Sequence, residues 1–162
     1  MLNTAIIIRP IEPADHDWIA DQTYREWGAE TIVVHGAVFY PAELAGFVAE
    51  VDRERAGLLT YVIDIESCEI VTLNSVLPGI GIGSRLIDAV RSRARAMGCL
   101  RLFLITTNDN LNALGFYQKR GFRLAALRPG AVDESRKIKP QISLVGENGI
   151  EIHDELELEI HL

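Results

Sequence analysis

A run of alternating glycines in the middle of the chain constrains the fold more than any other feature. Residues 78–83 read PGIGIG, which does not suit a regular β-strand. An apolar segment, residues 69–77, precedes the run, and residues 84–97 carry apolar side chains at helical spacing. Residues 100–106 are again strongly apolar. This order predicts a β-strand, a glycine loop, a helix and a second strand that lies parallel to the first.

A glycine loop at the start of a helix can bind an anion. Glycines permit positive φ angles and let a ligand approach the backbone without meeting a Cβ atom. Successive N–H groups then point to one place, where the helix dipole adds partial positive charge. The loop could therefore hold a phosphate or diphosphate without a lysine. The alternative is a tight turn that needs glycine for its geometry alone.

Two common phosphate-binding motifs do not fit the loop. A P-loop has lysine and then serine or threonine after its last glycine, whereas Gly83 is followed by Ser84 and Arg85. In a G-x-G-x-x-G dinucleotide motif that starts at Gly79, the third glycine would stand at position 84, which is a serine. ATPase and nicotinamide-dependent functions are therefore disfavoured.

The whole pattern predicts a single domain over residues 1–162, of the α/β (α+β) class. Residues 46–51, 58–64 and 69–77 are successive strands with short polar connections, which is typical of an antiparallel meander. Further strands are predicted at residues 5–9, 100–106, 122–127 and 155–162, and helices at residues 13–27, 84–97 and 110–120. We expect a mixed, mostly antiparallel central sheet of about six or seven strands with helices on both faces. Residues 128–149 are expected to be rich in loops.

The charge distribution argues against nucleic acid or an anionic membrane as a partner. The chain has 16 basic and 23 acidic residues, a net charge of −7, and such partners need a basic excess. Six of the acidic residues fall in the last sixteen positions: Glu147, Glu151, Asp154, Glu155, Glu157 and Glu159. Their alternation with apolar residues predicts a half-exposed final strand with solvated carboxylates.

The cysteine content and the N-terminus favour a cytoplasmic protein. Cys68 and Cys99 lack the spacing of a metal site, so we expect buried free thiols and no metal. Residues 1–5 show neither the basic start nor the apolar core of a signal peptide. No apolar run approaches the roughly 18 residues of a membrane helix.

The helix predicted at residues 110–120 carries the second informative motif. Asn110, Ala113, Leu114 and Tyr117 are spaced so that they share one helix face. Taken alone, Asn110 fits a helix cap, and Tyr117 fits core packing with its hydroxyl group satisfied.

Together, the glycine loop and this helix resemble the GNAT superfamily of N-acetyltransferases. That family has a Gln/Arg-x-x-Gly-x-Gly/Ala loop, then an Asn-x-x-Ala-x-x-Phe/Tyr-Tyr motif, and then Gly-Phe at the start of the next strand. This chain has GIG at residues 81–83, NLNALGFY at residues 110–117 and GF at residues 121–122. Pro78 departs from the family, because it stands at the Gln/Arg position and has no N–H group. Residues 29–44 also give no clear second helix of the family's kind.

The resemblance implies that acetyl-CoA is the acetyl donor and that an amine attacks it directly. The positions implied to bind coenzyme A are Val76, Leu77, Gly79, Ile80, Gly81, Ile82, Gly83, Ser84 and Asn110. Backbone groups near Val76 and Leu77 and the side chain of Asn110 would contact the pantetheine arm, and the N–H groups of residues 80–84 would hold the diphosphate. Tyr117 matches the family's tyrosine that protonates the leaving thiolate.

Other parts of the mechanism stay open at this point. Glu69 is a candidate base on the strand before the loop, Glu30 and His35 lie in the presumed acceptor region, and a water chain is another option. The competing hypothesis is a non-catalytic CoA-binding sensor or scaffold module, which Pro78 favours and Tyr117 opposes. The amine acceptor is unidentified; the acidic last strand hints at a cationic amine, but acidic residues there are more often simply solvated. Exposed sheet edges would favour a homodimer.

Overall fold

Within residues 5–162, the part of the chain that this computed structural model describes, strands and helices follow the predicted order closely. Residues 1–4, on which part of the signal-peptide argument rests, lie outside the described residues. The strands are β1 (Ile6–Pro10), β2 (Ile32–Val34), β3 (Ala37–Phe39), β4 (Ala45–Val51), β5 (Glu54–Asp64), β6 (Ser67–Ser75), β7 (Arg101–Thr107), β8 (Arg123–Arg128) and β9 (Glu155–His161). The helices are α1 (His16–Trp27), α2 (Ile82–Ala96), α3 (Leu111–Lys119) and α4 (Ala131–Ile138). None of these helices is long and apolar enough to span a membrane.

The main sheet has seven strands in the order β1-β4-β5-β6-β7-β9-β8 among the described residues. Strands β6 and β7 are parallel, and the other neighbouring pairs are antiparallel. Helices α2 and α3 pack on one face, while Ile19 of α1 packs against Val48 and Leu58 on the other. The predicted mixed sheet, its parallel crossover and the helices on both faces are confirmed.

The parallel pairing of β6 and β7 ends before either strand does. The last pair in register is Ile70 with Leu104, yet β6 continues to Ser75 and β7 to Thr107. The two strands therefore separate and leave backbone edges that face each other across a cleft. The glycine loop and the start of α2 follow directly after β6.

A β-bulge in β6 coincides with this separation. Thr60 of β5 pairs with Thr72, and the next residue of β5, Tyr61, pairs with Ile70, so that Val71 is an extra residue. The hydroxyl oxygens of Thr60 and Thr72 lie 2.7 Å apart, and the Thr60 N–H donates to Thr72 Oγ1 at 3.2 Å. A bulge bends its strand and increases its twist. This bend directs the end of β6 away from β7.

The expected loop-rich stretch at residues 128–149 is partly wrong, because it contains helix α4. The prediction missed a helix of eight residues that directly follows Pro129 and Gly130. A charge signal was present, since α4 has acidic residues in its first turn and basic residues in its last, which complements the helix dipole. Residues 29–44 contain a β2–β3 hairpin whose turn, His35 and Gly36, has positive φ angles of 41° and 79°.

The expectation of solvated carboxylates on the final strand is also wrong. Strand β9 lies between β7 and β8, so both of its edges are paired and part of its acidic face is covered. Glu155 is 2% exposed and Glu157 is 8% exposed. Glu157 forms ion pairs with Arg128, at 2.7 Å, and with Arg101. Burial would raise the pKa of Glu157, but these arginines hold it below its ordinary value.

The two cysteines behave as the sequence predicts. Cys68 and Cys99 are buried and free, and both belong to the apolar core between the sheet and helix α2.

Asp15 joins three segments on the α1 side of the sheet. Asp15 stands at the N-cap position of α1, but its side chain caps no α1 amide. Its buried carboxylate accepts hydrogen bonds from Arg9, at 2.7 and 3.0 Å, from Arg55 at 2.8 Å and from the Glu12 N–H at 2.8 Å. The Arg9 contact is the largest of the effects that hold the pKa of Asp15 well below its ordinary value.

Replacing Asp15 with asparagine should lower the free energy of unfolding by about 3 kcal/mol near neutral pH, since it leaves Arg55 without an ion-pair partner and Arg9 with Glu50 alone. Because the folded-state pKa is depressed, this stabilisation is present above the unfolded-state pKa of about 3.9 and disappears as the pH falls through the folded-state value. Urea unfolding across this acidic range would measure it. Asp21→Asn, which breaks only an exposed pair with Arg25, should cost less than about 1 kcal/mol. If Asp15→Asn and Asp21→Asn lost equal free energy of unfolding, the buried Asp15 ion pairs would not have the stabilising role described here.

Candidate active site

The cleft between β6 and β7 opens into a cavity of about 660 Å³. Residues 70–73 of β6 and 104–107 of β7 form one wall, and α3 contributes Tyr117. The end of α1, strand β2 and residues of α4 line the other side. The volume lies in the range of small-molecule sites, roughly 300–1,000 Å³.

The start of α2 presents backbone N–H groups without a protein cap. Its N-cap is Gly81, which has no side chain to accept a hydrogen bond. The N–H groups of Ile82, Gly83 and Ser84, in the first turn, also have no carbonyl partner inside the helix. Gly79 and Gly81 have φ angles of 82° and 90°, a region that favours glycine. The loop thus has the glycine angles and the uncapped N–H groups that anion binding needs, and its role in binding stays a prediction.

Gly83 is needed for a different reason, the packing of α2 against α3. A Cβ atom at Gly83 would lie 2.8 Å from Cζ of Phe116. Arg120 packs over the Phe116 ring, with its Cζ 3.4 Å from the ring centroid. The third glycine of the run thus allows two helices to approach, and only the first two require glycine for their backbone angles.

Arg120 places a positive charge at the start of α2, which the sequence analysis missed. Its Nε and Nη2 donate to Ser84 Oγ at 2.9 and 2.7 Å, and its Nη1 donates to the Phe116 carbonyl at 2.8 Å. A cation is unfavourable at the positive end of a helix dipole unless an anion joins it. The combination of Arg120 with the uncapped N–H groups favours a ligand that carries negative charge.

Asn110 lies at the start of α3 and lines the cavity. Its Oδ1 accepts the Ala113 N–H at 3.2 Å, so the helix-cap interpretation is confirmed. The Nδ2 end of the same side chain remains available to a ligand, and a role for it there stays a prediction.

Val76 and Leu77 lie beyond the end of β6 in an exposed loop. The Val76 N–H donates to the Ala56 carbonyl at 2.9 Å, so it is not free to bind a pantetheine arm. The cavity is lined instead by residues 71–73, immediately upstream. Residues 71–73 are therefore better placed than Val76 and Leu77 for backbone contacts to a pantetheine arm, because this part of the β6 edge faces the cleft.

Tyr117 is 8% exposed and lines the cavity. Its ring packs edge-on against Phe116 and Phe122, with centroids 5.1 and 5.5 Å away. Burial raises the pKa of Tyr117 above its ordinary value, so its hydroxyl keeps its proton at neutral pH. The arrangement can hold a proton donor at a fixed place beside the two separated strands.

Glu69 and His35 form a pair on the same side of the sheet as β2. His35 Nε2 lies 2.9 and 3.0 Å from the two carboxylate oxygens of Glu69. Burial raises the pKa of Glu69, and His35 opposes this effect. Glu69 is not among the residues that line the cavity, and Glu30 is exposed. Neither carboxylate directly borders the space beside Tyr117.

Glu155, which sequence reasoning treated as solvated, does line the cavity. Its Oε1 accepts the backbone N–H of His35 at 3.0 Å. Its Oε2 is buried and has no hydrogen-bond partner in residues 5–162. The alternating pattern of the last strand could not reveal this burial. The burial depends on the turn of the β2–β3 hairpin, which places His35 against Glu155.

Comparisons with known proteins agree with this architecture. A family model described as the acetyltransferase (GNAT) family matches residues 7–122. YdhI of Bacillus subtilis (strain 168), an uncharacterised protein, is 43% identical over 152 residues, which cover 93% of this chain and 94% of YdhI.

Two solved structures share the fold over nearly the whole chain. A GNAT family acetyltransferase from Elizabethkingia anophelis with acetyl-CoA bound has a TM-score of 0.71 at 23% identity, covering 97% of this chain and 98% of its own. A Bacillus subtilis acetyltransferase in complex with CoA has a TM-score of 0.71 at 20% identity, covering 98% and 99%.

Gly83→Ala should lower the free energy of unfolding by about 1–3 kcal/mol, because its Cβ would overlap the Phe116 ring. Phe116→Leu in the same chain should recover much of that loss, giving a favourable coupling of at least about 0.5 kcal/mol in a double-mutant cycle. Gly79→Ala is the matched control, because it strains the backbone but meets no atom within 4 Å. Its loss should not be recovered by Phe116→Leu. Purely additive effects of Gly83→Ala and Phe116→Leu in urea unfolding would contradict this explanation.

Proposed function

The chain belongs to the GNAT family of acetyltransferases, and on this premise we propose that it transfers an acetyl group from acetyl-CoA to a primary amine. The observation that carries the proposal is the end of the β6–β7 pairing beside the uncapped start of α2. The separated strands offer free backbone edges to an extended arm that contains amide groups. The uncapped start of α2 offers N–H groups to a diphosphate. We propose that the enzyme acts in the cytoplasm and that the amine attacks directly in a ternary complex.

The loop residues would hold the diphosphate of the donor. Backbone N–H groups in the loop and first turn of α2 would donate to its oxygens: Gly79, Ile80, Gly81, Ile82, Gly83 and Ser84. Pro78 removes one potential donor, and the Arg120 guanidinium on Ser84 supplies positive charge that offsets this loss. Residues 71–73 and the Nδ2 group of Asn110 would contact the pantetheine arm.

Three chemical tasks remain for the residues around the cavity. The acceptor must first give its ammonium proton to solvent water, because a lysine-like amine has a pKa of about 10.4 and only its neutral form attacks. The thioester oxygen gains negative charge during attack, and N–H groups on the free edge of β6 are suited to stabilise it. The C–S bond then breaks, and Tyr117 donates its hydroxyl proton to the departing thiolate sulfur. Tyr117 regains a proton from the acetylated nitrogen or from water, while the amide product leaves.

Tyr117→Phe should lower kcat by about 100- to 10,000-fold, the usual contribution of a positioned general acid. The packing of the ring against Phe116 and Phe122 is retained, so the Kd for acetyl-CoA should change by less than about twofold. Thiol release and calorimetry measure the two quantities. Tyr61→Phe is the control, because it removes another largely buried tyrosine hydroxyl that does not line this cavity. An unchanged kcat in Tyr117→Phe would remove Tyr117 from the mechanism.

Ligand binding and turnover together separate the proposed enzyme from its alternatives. Acetyl-CoA should raise the melting temperature of the protein, and ATP and NAD should not, because a ligand that binds only the folded state stabilises it. A panel of primary amines should then release CoA thiol from acetyl-CoA. A non-catalytic CoA-binding module predicts the same thermal shift without thiol release. The absence of any shift with acetyl-CoA or CoA would reject both functions.

A further inference from the structure

One buried carboxylate in the cavity has no ion-pair partner in the described chain. Glu155 is 2% exposed, and its Oε2 is buried without a hydrogen-bond partner in the described chain. Its other oxygen accepts only the neutral N–H of His35. Burying a charge without a partner is costly, and such a group is retained most readily where a ligand completes it.

The neighbouring carboxylates differ from Glu155 in this respect. Glu157 is paired with Arg101 and with Arg128, and Glu69 faces the imidazole of His35. Arg128 is the cross-strand neighbour of Glu155, but its Nη2 donates to Glu157 and it makes no ion pair with Glu155 within 4 Å. Glu155 therefore has no ion-pair partner among the described residues; Arg128 Nη1 is likewise buried without a hydrogen-bond partner, and Lys139, which lines the same cavity, donates its Nζ to the Thr31 carbonyl instead.

The position of Glu155 is suited to an acceptor molecule. It is in register with Thr107, at the end of β7 where the strands have separated. Tyr117 lines the same cavity from α3. A group bound at Glu155 thus shares one cavity with Tyr117, the residue that we place beside the leaving sulfur. The positive loop at the start of α2 is not part of the lining of this cavity.

We propose that Oε2 of Glu155 binds the ammonium group of the acceptor, and that the enzyme therefore selects alkylamines that are cationic at neutral pH. This inference rests on the proposed function, since it names the substrate class for that site. An ammonium group supplies both the missing hydrogen-bond donor and the missing positive charge. A neutral alcohol of the same shape supplies only a hydroxyl donor.

The test compares benzylamine with benzyl alcohol, and putrescine with 1,4-butanediol, as ligands of the full chain saturated with CoA. Calorimetry or ligand-observed NMR gives the dissociation constants. The wild-type protein should bind at least one ammonium ligand about tenfold or more tightly than its alcohol counterpart, and Glu155→Gln should reduce that preference to about twofold or less.

Glu159→Gln is the matched control, because Glu159 is another carboxylate on the same face of β9. It pairs with Arg101 and does not line the cavity. The Glu159→Gln variant should keep the ammonium preference. Glutamine at position 155 still offers an oxygen to the His35 N–H and removes a charge that has no ion-pair partner, so the melting temperature should not fall. If Glu155→Gln failed to fold, the His35 amide resonance of the wild-type protein would still report the site, since it should shift with benzylamine more than with benzyl alcohol.

Two results would overturn the inference. The first is an ammonium preference that survives Glu155→Gln. The second is a wild-type protein that prefers the ammonium ligand in neither pair, which is expected if the Arg128 side chain turns and pairs with Glu155. The proposed function is judged separately by thiol release from acetyl-CoA. Ammonium binding at Glu155 without thiol release would reject the acetyltransferase and keep the site. Thiol release without a role for Glu155 in ammonium preference would reject the inference alone.

Discussion

The extra residue in β6 determines where a ligand can enter this sheet. Two parallel strands of similar length would ordinarily pair to their ends and leave no free edge. The bulge at Val71 bends β6 after its last pair with β7, so that both strands carry unpaired backbone groups at the same level. The hydroxyl pair of Thr60 and Thr72 keeps β5 attached through this irregularity. The cleft is thus a consequence of one local departure from regular pairing.

Charge is divided between the two ends of this cleft. The start of α2 combines uncapped N–H groups with the Arg120 cation, and the acceptor side contains Glu155, whose carboxylate lacks a cation. Both arrangements are unfavourable without a ligand, because a cation lies beside uncapped N–H groups at one end and a buried carboxylate has no ion-pair partner at the other. A diphosphate at one end and an ammonium group at the other would relieve both. In the proposed function, the transferred acetyl group lies between them.

Local signals explain which parts could be predicted. The meander, the parallel crossover, the glycine loop and the α3 motif depend on residues close in sequence, and the structure contains each of these features. The burial of Glu155 depends on the insertion of β9 between two strands and on the contact from His35, more than a hundred residues away. The requirement for glycine at position 83 depends likewise on Phe116. Periodicity within one segment carries no information about such contacts.

Amide hydrogen exchange, measured residue by residue with and without acetyl-CoA, tests the central claim most directly. Exchange should slow at Ile82, Gly83 and Ser84 and along residues 71–73, because these N–H groups would gain acceptors from the diphosphate and the pantetheine arm. Unchanged exchange at all of these positions under saturating acetyl-CoA would contradict the claim. So would protection confined to another surface.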